Sequence, residues 1–236
     1  MKSVDIQFDH LSIGAIPRVV GVVTDLASVE ALAIAPVPTW DVIEMRLDLI
    51  GPDTAWTVAV DTLQRAGFPV LATLRLAAEG GNWTAADAAR EPILMAALQR
   101  CAAVDIEQRS PLLPQIIEAA RALDKPLVIS YHDFDATPPV DDLREIVRNG
   151  AVYERGIVKL ASHINSTTDI QRLEALLTDS PIPHPLCVIG MGEMGQATRI
   201  RFPQLGSCLA YGHLDASTAP GQLSCHTLHT ALHAAS

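Results

Sequence analysis

A single lysine interrupts a short apolar segment that has the composition of a β-strand. In residues 156–162, GIVKLAS, the alternation of a strand places Lys159 on one face with Ile157 and Ala161. Desolvation penalises an ammonium ion, so a lysine moved among small apolar neighbours loses proton affinity, and its free amine can attack a carbonyl carbon. The segment therefore indicates Schiff-base chemistry, although a lysine at a frayed strand end with its amine in solvent would have the same local sequence.

Other apolar segments carry polar residues at alternate positions. Parallel strands that helices cover on both faces are usually continuous apolar runs, so each polar residue inside one needs a reason. The polar positions are Glu44, Arg46 and Asp48 in 42–49, Arg75 at the end of 70–75, Asp105 and Glu107 in 104–107, and Ser130 and His132 in 127–134. Buried charges are costly unless they are paired, so these residues are predicted to pair with one another or with a ligand. For the first segment, a self-contained Glu-Arg-Asp network is the alternative.

The elements that must position these residues alternate regularly along the chain. Segments with helical spacing separate eight apolar segments, near 18–23, 40–49, 69–76, 103–107, 126–131, 156–161, 185–190 and 207–212, and a last helix is predicted over 223–234. Eight such units in 236 residues predict an α/β fold, a (β/α)8 TIM barrel with a parallel sheet. With no repeat or linker to divide it, the chain is predicted to form a single catalytic domain over 1–236. The alternation of Val4, Ile6 and Phe8 adds a short N-terminal hairpin.

The predicted barrel brings the lysine close to a histidine. Catalytic residues of such barrels lie at the carboxyl ends of several strands. His132 ends one predicted strand, and Lys159 lies in the next strand along the chain. At the same end, Glu79-Gly80-Gly81 predicts a mobile or tightly turned loop. A histidine alone is more often a core residue bonded to a carbonyl, but the neighbouring amine and carboxylates favour a catalytic role.

Composition argues against several classes of function. The chain has 17 basic and 27 acidic residues, and its net charge of −10 disfavours binding to nucleic acid or an anionic membrane. The longest apolar runs are shorter than the ~18 residues that a membrane span requires. No basic and apolar leader opens the sequence, and the four cysteines form no CxxC pair, so a cytoplasmic protein with reduced thiols is expected.

With these positions in view, the sequence resembles type I 3-dehydroquinate dehydratase, the Schiff-base class of that enzyme. The motifs that carry the resemblance follow the family's order along nearly the whole chain: Glu44-x-Arg46-x-Asp48, Thr73-Leu74-Arg75, Glu79-Gly80-Gly81, Asp105-Ile106-Glu107, Ser130-Tyr131-His132-Asp133-Phe134, Val158-Lys159, Met191-Gly192, Gly195, Thr198-Arg199 and Ala219-Pro220-Gly221-Gln222. Two positions depart from the family pattern. Leu205 replaces an expected aromatic residue, and Thr218 replaces a serine but keeps the hydroxyl.

The resemblance implies dehydration of 3-dehydroquinate to 3-dehydroshikimate, a step of the shikimate pathway and of aromatic amino acid biosynthesis. Lys159 would form the imine, His132 would serve as general base and acid, and Glu79 would orient the histidine. The implied substrate contacts are Arg199, Thr218 and Gln222 at the carboxylate and the closing loop, and Glu44, Arg46 and Arg75 at the hydroxyls. The resemblance implies no metal and no organic cofactor, and it implies a homodimer, the common state of family members.

Two other interpretations remain open at this point. A class I aldolase or another Schiff-base lyase could use the same amine-bearing barrel, but it would need a phosphate site. The segment Gly190-Met191-Gly192-Glu193 carries a carboxylate where that site would lie. The other alternative is a non-catalytic barrel that binds a pathway metabolite, which the presence of both Lys159 and His132 disfavours.

Three histidines of the predicted last helix offer a possible metal site. His226, His229 and His233 fall on one helical face and could hold zinc or nickel. A polar stripe facing solvent is the favoured interpretation, because only Cys225 is near enough to complete the site and it points elsewhere.

Overall fold

The computed structural model describes residues 5–51, 53–179, 184–214 and 221–233, and most of them belong to a barrel. Its strands, in chain order after the N-terminal pair β1 (Ile6–Phe8) and β2 (Leu11–Ile13), are β3 (Arg18–Val23), β4 (Val42–Arg46), β5 (Val70–Thr73), β6 (Ala103–Glu107), β7 (Leu127–Asp133), β8 (Gly156–His163), β9 (Leu186–Met191) and β10 (Leu209–His213). Strands β3 to β10 form one parallel sheet of eight in the order β10-β3-β4-β5-β6-β7-β8-β9.

Helices connect the strands on the outside of the sheet. In chain order they are α1 (Val29–Ala33), α2 (Leu47–Ile50), α3 (Ala55–Arg65), α4 (Asp87–Arg100), α5 (Leu113–Ala122), α6 (Val140–Gly150), α7 (Thr167–Thr178), α8 (Thr198–Gln204) and α9 (Cys225–His233). Each barrel strand is followed by a helix, and α2 is an additional short helix directly after β4. The described residues include no helix that is both long and apolar enough to span a membrane.

The sheet forms a nearly closed (β/α)8 barrel, in which its two edge strands, β10 and β9, lie next to each other. Between β9 and β10, the Cys208 amide donates a hydrogen bond to the Leu186 carbonyl at 2.9 Å. The buried Ser207 hydroxyl accepts a second hydrogen bond from the Val188 amide, also at 2.9 Å. These hydrogen bonds join β9 to the start of β10, in place of the parallel pairing that joins the other neighbouring strands.

The side chains on the two faces of each strand pack in different parts of the fold, one against the outer helices and one inside the barrel, as β8 shows. Val158 and Leu160 pack outward in an apolar cluster with residues of α6 and α7. Ile157 and Ala161 point inward and belong to the barrel interior, as the strand alternation predicts. Lys159 shares that inward face, so its side chain extends into the barrel.

The N-terminal hairpin closes one end of the barrel. Strands β1 and β2 pair in antiparallel fashion, and Ile6, Phe8 and Ile13 are buried in the same apolar cluster as inward residues such as Val20 and Val128. The amino end of the barrel is therefore filled with apolar side chains. The polar inward residues lie toward the carboxyl ends of the strands, where they form a separate layer.

The sequence-based predictions of the eight strands, the hairpin and the barrel are confirmed. Two strand ends were predicted too far along the chain: the strand predicted over 40–49 ends at Arg46, before α2 begins at Leu47, and the strand predicted over 69–76 ends at Thr73, two residues before Arg75. The alternation of side chains along a strand therefore does not predict the direction of the Asp48 side chain. Its carboxylate accepts hydrogen bonds from Arg46, at 3.0 and 2.8 Å, and from the backbone amides of Arg75 and Asn82, which ties the end of β4 to the loop after β5.

Candidate active site

A cavity of about 140 Å³ opens at the carboxyl ends of the barrel strands. Eight of the nine residues that the sequence analysis assigned to a site line it: Lys159, His132, Glu79, Glu44, Arg46, Arg75, Arg199 and Gln222. The ninth, Thr218, lies outside the described residues. Apolar side chains complete the wall, among them Val22, Ile189 and Met191. The cavity therefore combines an apolar lining with a few convergent polar groups, which is typical of a site for a small polar ligand.

Lys159 lies at the middle of β8 with its amine almost completely buried. Its Nζ donates a hydrogen bond to Asp105 Oδ2 at 3.1 Å and lies 3.8 Å from Glu44 Oε1. The same nitrogen is 4.2 Å from the centroid of the Tyr211 ring. The expectation of small apolar neighbours is therefore wrong for the amine itself, because two carboxylates and an aromatic face surround it. Ile157 and Ala161 provide the apolar neighbours only along its own strand.

Asp105 links the lysine to a buried arginine. Its other carboxylate oxygen is 2.8 Å from a nitrogen of Arg75 and accepts a hydrogen bond from Ser130 at 2.6 Å. Burial alone would raise the pKa of Asp105, but the positive charges of Arg75 and Lys159 hold it below its usual range. Asp105 is thus a buried anion that two cations and a hydroxyl satisfy.

Arg75 is the centre of this polar layer. Besides Asp105, its guanidinium contacts Glu107 at 3.1 Å and donates to the Ser130 hydroxyl at 2.7 Å. Burial opposes its charge, yet the surrounding carboxylates raise the pKa of Arg75 above its ordinary value. Although Arg75 lines the cavity, most of its hydrogen-bonding capacity is used by the protein.

A second buried arginine, Arg90 of α4, supports this layer from behind. It contacts Glu107 and donates to the Leu74 carbonyl at 2.7 Å and to the Ser110 hydroxyl at 3.2 Å. Arg90 has no exposed surface, which is rare for an arginine. Its burial could not be predicted from the sequence, because a single arginine in a helical segment carries no signal of burial.

His132 and Glu79 form a buried pair at one side of the cavity. The Nδ1 atom of His132 is 3.0 Å from Glu79 Oε2, and the imidazole stacks on the Phe134 ring with centroids 6.2 Å apart. Burial, together with the positive charges of Arg75 and Lys159, lowers the pKa of His132 well below its ordinary value. The imidazole is therefore neutral near pH 7 and can accept a proton.

Two glycines hold Glu79 in place. The segment Ala77–Glu79 is a single 3-10 turn, and Gly80 ends it in the left-handed region with φ of 79°. A Cβ atom on Gly81 would lie 2.2 Å from the Arg75 carbonyl oxygen, so a larger residue would push the loop off the strand end. Of the two alternatives predicted for this loop, the tight turn is the one observed.

The cavity wall also contains Arg199, an arginine with an unpaired side-chain nitrogen among the described residues. Arg199 of α8 is 7% exposed, and its Nε has no hydrogen-bond partner among the described residues. Burial lowers the pKa of Arg199 to about 10. Gln222 lies in the same wall. By contrast, Glu44 accepts a hydrogen bond from Thr73 at 2.8 Å, and Arg46 is bound by Asp48. Within the described chain, Arg199 is thus the lining arginine most available to an anionic ligand.

Two further predictions concern residues away from the cavity lining. The imidazoles of His229 and His233 stack on each other with centroids 4.2 Å apart, and His233 Nδ1 contacts the His229 carbonyl. The part of the chain that the structure describes contains no group of three His, Cys, Asp or Glu residues that could hold a metal ion. Leu205, which departs from the family pattern, lies just after α8 and not in the cavity wall.

Comparison with known proteins gives the family. The model of the type I 3-dehydroquinase family matches residues 19–236. The chain belongs to this family. The 3-dehydroquinate dehydratase of Methanothrix thermoacetophila is 36% identical over 193 residues, 81% of this chain and 80% of the relative. The enzyme of the same name from Methanocella arvoryzae is 34% identical over 208 residues, 88% of this chain and 91% of the relative.

The barrel of this chain is similar to a solved structure of a 3-dehydroquinate dehydratase. The crystal structure of 3-dehydroquinate dehydratase from Geobacillus kaustophilus superposes with a TM-score of 0.86 at 24% identity, covering 98% of this chain and 95% of that one. The family and fold predicted from the sequence are thus confirmed. The reaction of the family is the dehydration of 3-dehydroquinate in the shikimate pathway, so the predicted activity is confirmed in preference to an aldolase or a non-catalytic barrel.

Proposed function

We propose that Lys159 is the amine that forms the Schiff base with 3-dehydroquinate. The observation that supports this role is its buried amine in the cavity wall, which also contains His132 and Arg199. The amine attacks the ketone carbon, and the adduct takes up a proton and loses water to give a cationic imine. The imine acidifies the neighbouring carbon, so a base of ordinary strength can remove its proton.

His132 is the base in this proposal. Because Glu79 engages Nδ1, Nε2 is the ring nitrogen left for proton transfer. It takes the proton from the acidified carbon, and the electron pair forms an enamine. The enamine expels the β-hydroxyl, which leaves as water after taking a proton from His132. Addition of water to the remaining imine releases 3-dehydroshikimate and restores the free amine. None of these steps requires a metal or an organic cofactor.

Substrate binding divides between the two sides of the cavity. Arg199 binds the carboxylate through paired hydrogen bonds, with Gln222 beside it. Glu44, Arg46 and the unused N–H groups of Arg75 bind the hydroxyls. Thr218 adds a hydroxyl from the segment that precedes Gln222 in the sequence, as the family resemblance implies.

We further propose the setting in which this site works. Residues 1–236 form one catalytic domain that acts as a homodimer in the cytoplasm, as the resemblance and the composition suggest. The four cysteines are free and buried, which supports a reducing compartment. Light scattering on the purified chain tests the dimer, and a monomeric mass over the working concentration range would contradict it.

Trapping with borohydride tests the role of Lys159. Reduction of the imine adds the substrate skeleton to the protein irreversibly, so the enzyme should lose activity only when borohydride and 3-dehydroquinate are both present. Peptide mapping should locate the added mass on Lys159. The matched control is Lys125→Arg, because Lys125 donates to the Cys101 carbonyl at 2.8 Å outside the cavity wall. An adduct on Lys125, or no adduct, would disprove the proposal.

His132→Ala separates imine formation from proton transfer. Turnover, followed by the ultraviolet absorbance of the enone product, should fall by ~10² or more, the usual scale for a positioned acid-base group. Borohydride should still trap some imine on Lys159, since the amine is held mainly by Asp105. Near-normal turnover in His132→Ala would exclude His132 as the base, whereas loss of the adduct would extend its role to imine formation.

A further inference from the structure

Tyr211 brings an unpaired hydroxyl group to the cavity. It lies in β10, is 6% exposed, and lines the cavity beside Glu44 and Lys159. Its hydroxyl has no hydrogen-bond partner among the described residues. Nothing in the sequence indicates a role for it, because a tyrosine in an apolar strand is most often a residue of the hydrophobic core.

An unpaired buried hydroxyl is unfavourable, since water is lost without replacement. Phenylalanine would fill the same space without this cost, so the hydroxyl needs a partner that the described residues do not supply. Burial, with a contribution from the negative charge of Glu44, raises the pKa of Tyr211 well above its ordinary value. The phenol therefore stays neutral and can donate a hydrogen bond.

We propose that Tyr211 is a further substrate-binding residue, whose hydroxyl hydrogen-bonds a ring hydroxyl of the bound substrate. The partner is a hydroxyl and not the carboxylate, because Glu44 lies on the same side and would repel a second anion. Lys159 Nζ is 3.8 Å from Glu44 Oε1 and 4.2 Å from the Tyr211 ring centroid, so both residues lie next to the nitrogen that attacks the substrate. A substrate hydroxyl between them donates to Glu44 and accepts from Tyr211.

The Tyr211 ring has a second effect that is separable from its hydroxyl. Its face is against the Lys159 nitrogen, where it attracts a positive charge. That charge is present in the ammonium ion and again in the imine of the proposed mechanism. Tyr211→Phe removes the hydroxyl alone and leaves this aromatic face in place.

The test rests on the proposed function and compares Tyr211→Phe with a matched variant. Tyr153 is also buried, but its hydroxyl donates to the Lys125 carbonyl at 2.8 Å outside the cavity wall. Tyr153→Phe therefore removes the same atom where it has a protein partner. We expect Tyr211→Phe to raise the KM for 3-dehydroquinate about tenfold, with a smaller change in kcat. Its ligand-free melting temperature should be unchanged or higher.

Tyr153→Phe should show the reverse pattern, a lower melting temperature and an unchanged KM. The inference is overturned if Tyr211→Phe leaves KM unchanged, or if it lowers the ligand-free melting temperature as Tyr153→Phe does, since that would reveal a structural partner. Absence of 3-dehydroquinate turnover or of the borohydride adduct in the unmodified enzyme would instead refute the proposed function, so the two failures are distinguishable.

Discussion

Replacing Glu79 by glutamine should make the protein more stable and less active at alkaline pH. The carboxyl group of Glu79 is buried, and burial, with the nearby charge of Glu107, raises its pKa from 4.5 to about 7 in spite of Arg75. Glutamine has the same shape and can still accept a hydrogen bond from His132 Nδ1, but it cannot ionise. The substitution therefore removes the charge and leaves the packing.

The size of the effect follows from the two pKa values. A group whose pKa is higher in the folded state binds its proton more tightly there, so stability falls as pH rises from the unfolded value toward the folded value. For Glu79 this interval runs from 4.5 to about 7. At ~1.4 kcal/mol per pH unit, ionisation of Glu79 lowers the free energy of unfolding by ~3 kcal/mol in all once the pH is above this interval. At about pH 5 it has lowered the free energy of unfolding by only ~1 kcal/mol.

Urea unfolding of the wild type and of Glu79→Gln at about pH 5 and about pH 8 measures this difference. The free energy of unfolding of Glu79→Gln, relative to wild type, should increase by ~2 kcal/mol between the two conditions. Glu118→Gln, at an exposed position of α5, is the control and should show no such increase. At about pH 8, kcat of Glu79→Gln should fall at least tenfold, because no negative charge then stabilises the imidazolium ion that His132 becomes when it takes the proton.

Two outcomes would refute this reasoning. An equal stability difference at both pH values would mean that Glu79 does not ionise within the interval. An unchanged kcat would mean that the charge on Glu79 plays no part in proton transfer by His132, even if the effect on stability were found.

Two more substitutions test neighbouring parts of the site. Arg199→Lys should mainly raise KM, because an ammonium ion cannot form the paired hydrogen bonds of a guanidinium; a large fall in kcat would show that Arg199 also positions the reacting carbon. Arg90→Met should lower the free energy of unfolding by ~3–5 kcal/mol, because it leaves the buried Glu107 without one of its cations. Arg100→Met removes an exposed cation of the same helix and is the control, for which a small loss of stability is expected. A loss just as small for Arg90→Met would mean that Arg75 alone satisfies Glu107.

The parts of the fold that the sequence predicted are those that repeat. The inward and outward faces of β8 follow from alternation alone, so the position of Lys159 in the barrel could be predicted before the structure was known. The same rule placed Glu44 and His132 in the cavity wall. It failed at Asp48, because the chain leaves the strand conformation at Arg46, and local alternation carries no information beyond a strand end.

The contacts that could not be predicted join residues that are far apart in the chain. Arg90 reaches Glu107 from a helix whose apolar pattern is weak, and Tyr211 meets Lys159 only because β10 closes the barrel. Such pairs depend on the register and the closure of the sheet. Sequence spacing indicated which residue types the site contains, whereas the barrel geometry determines which of them touch.

That geometry explains how an amine bound to a carboxylate can still act as a nucleophile. In the proposed mechanism, Lys159 attacks as a neutral amine, and a buried Asp105 without a cation would then be strongly unfavourable. Asp105 keeps Arg75 at 2.8 Å and the Ser130 hydroxyl at 2.6 Å, so it stays satisfied while the amine is neutral. When the imine forms, the positive charge returns to the same nitrogen, still 3.1 Å from Asp105 if the lysine does not move. In the proposed mechanism, the Asp105 carboxylate therefore favours the ammonium ion and the cationic imine alike, and the discrimination between substrate and transition state falls to His132 and its partner Glu79.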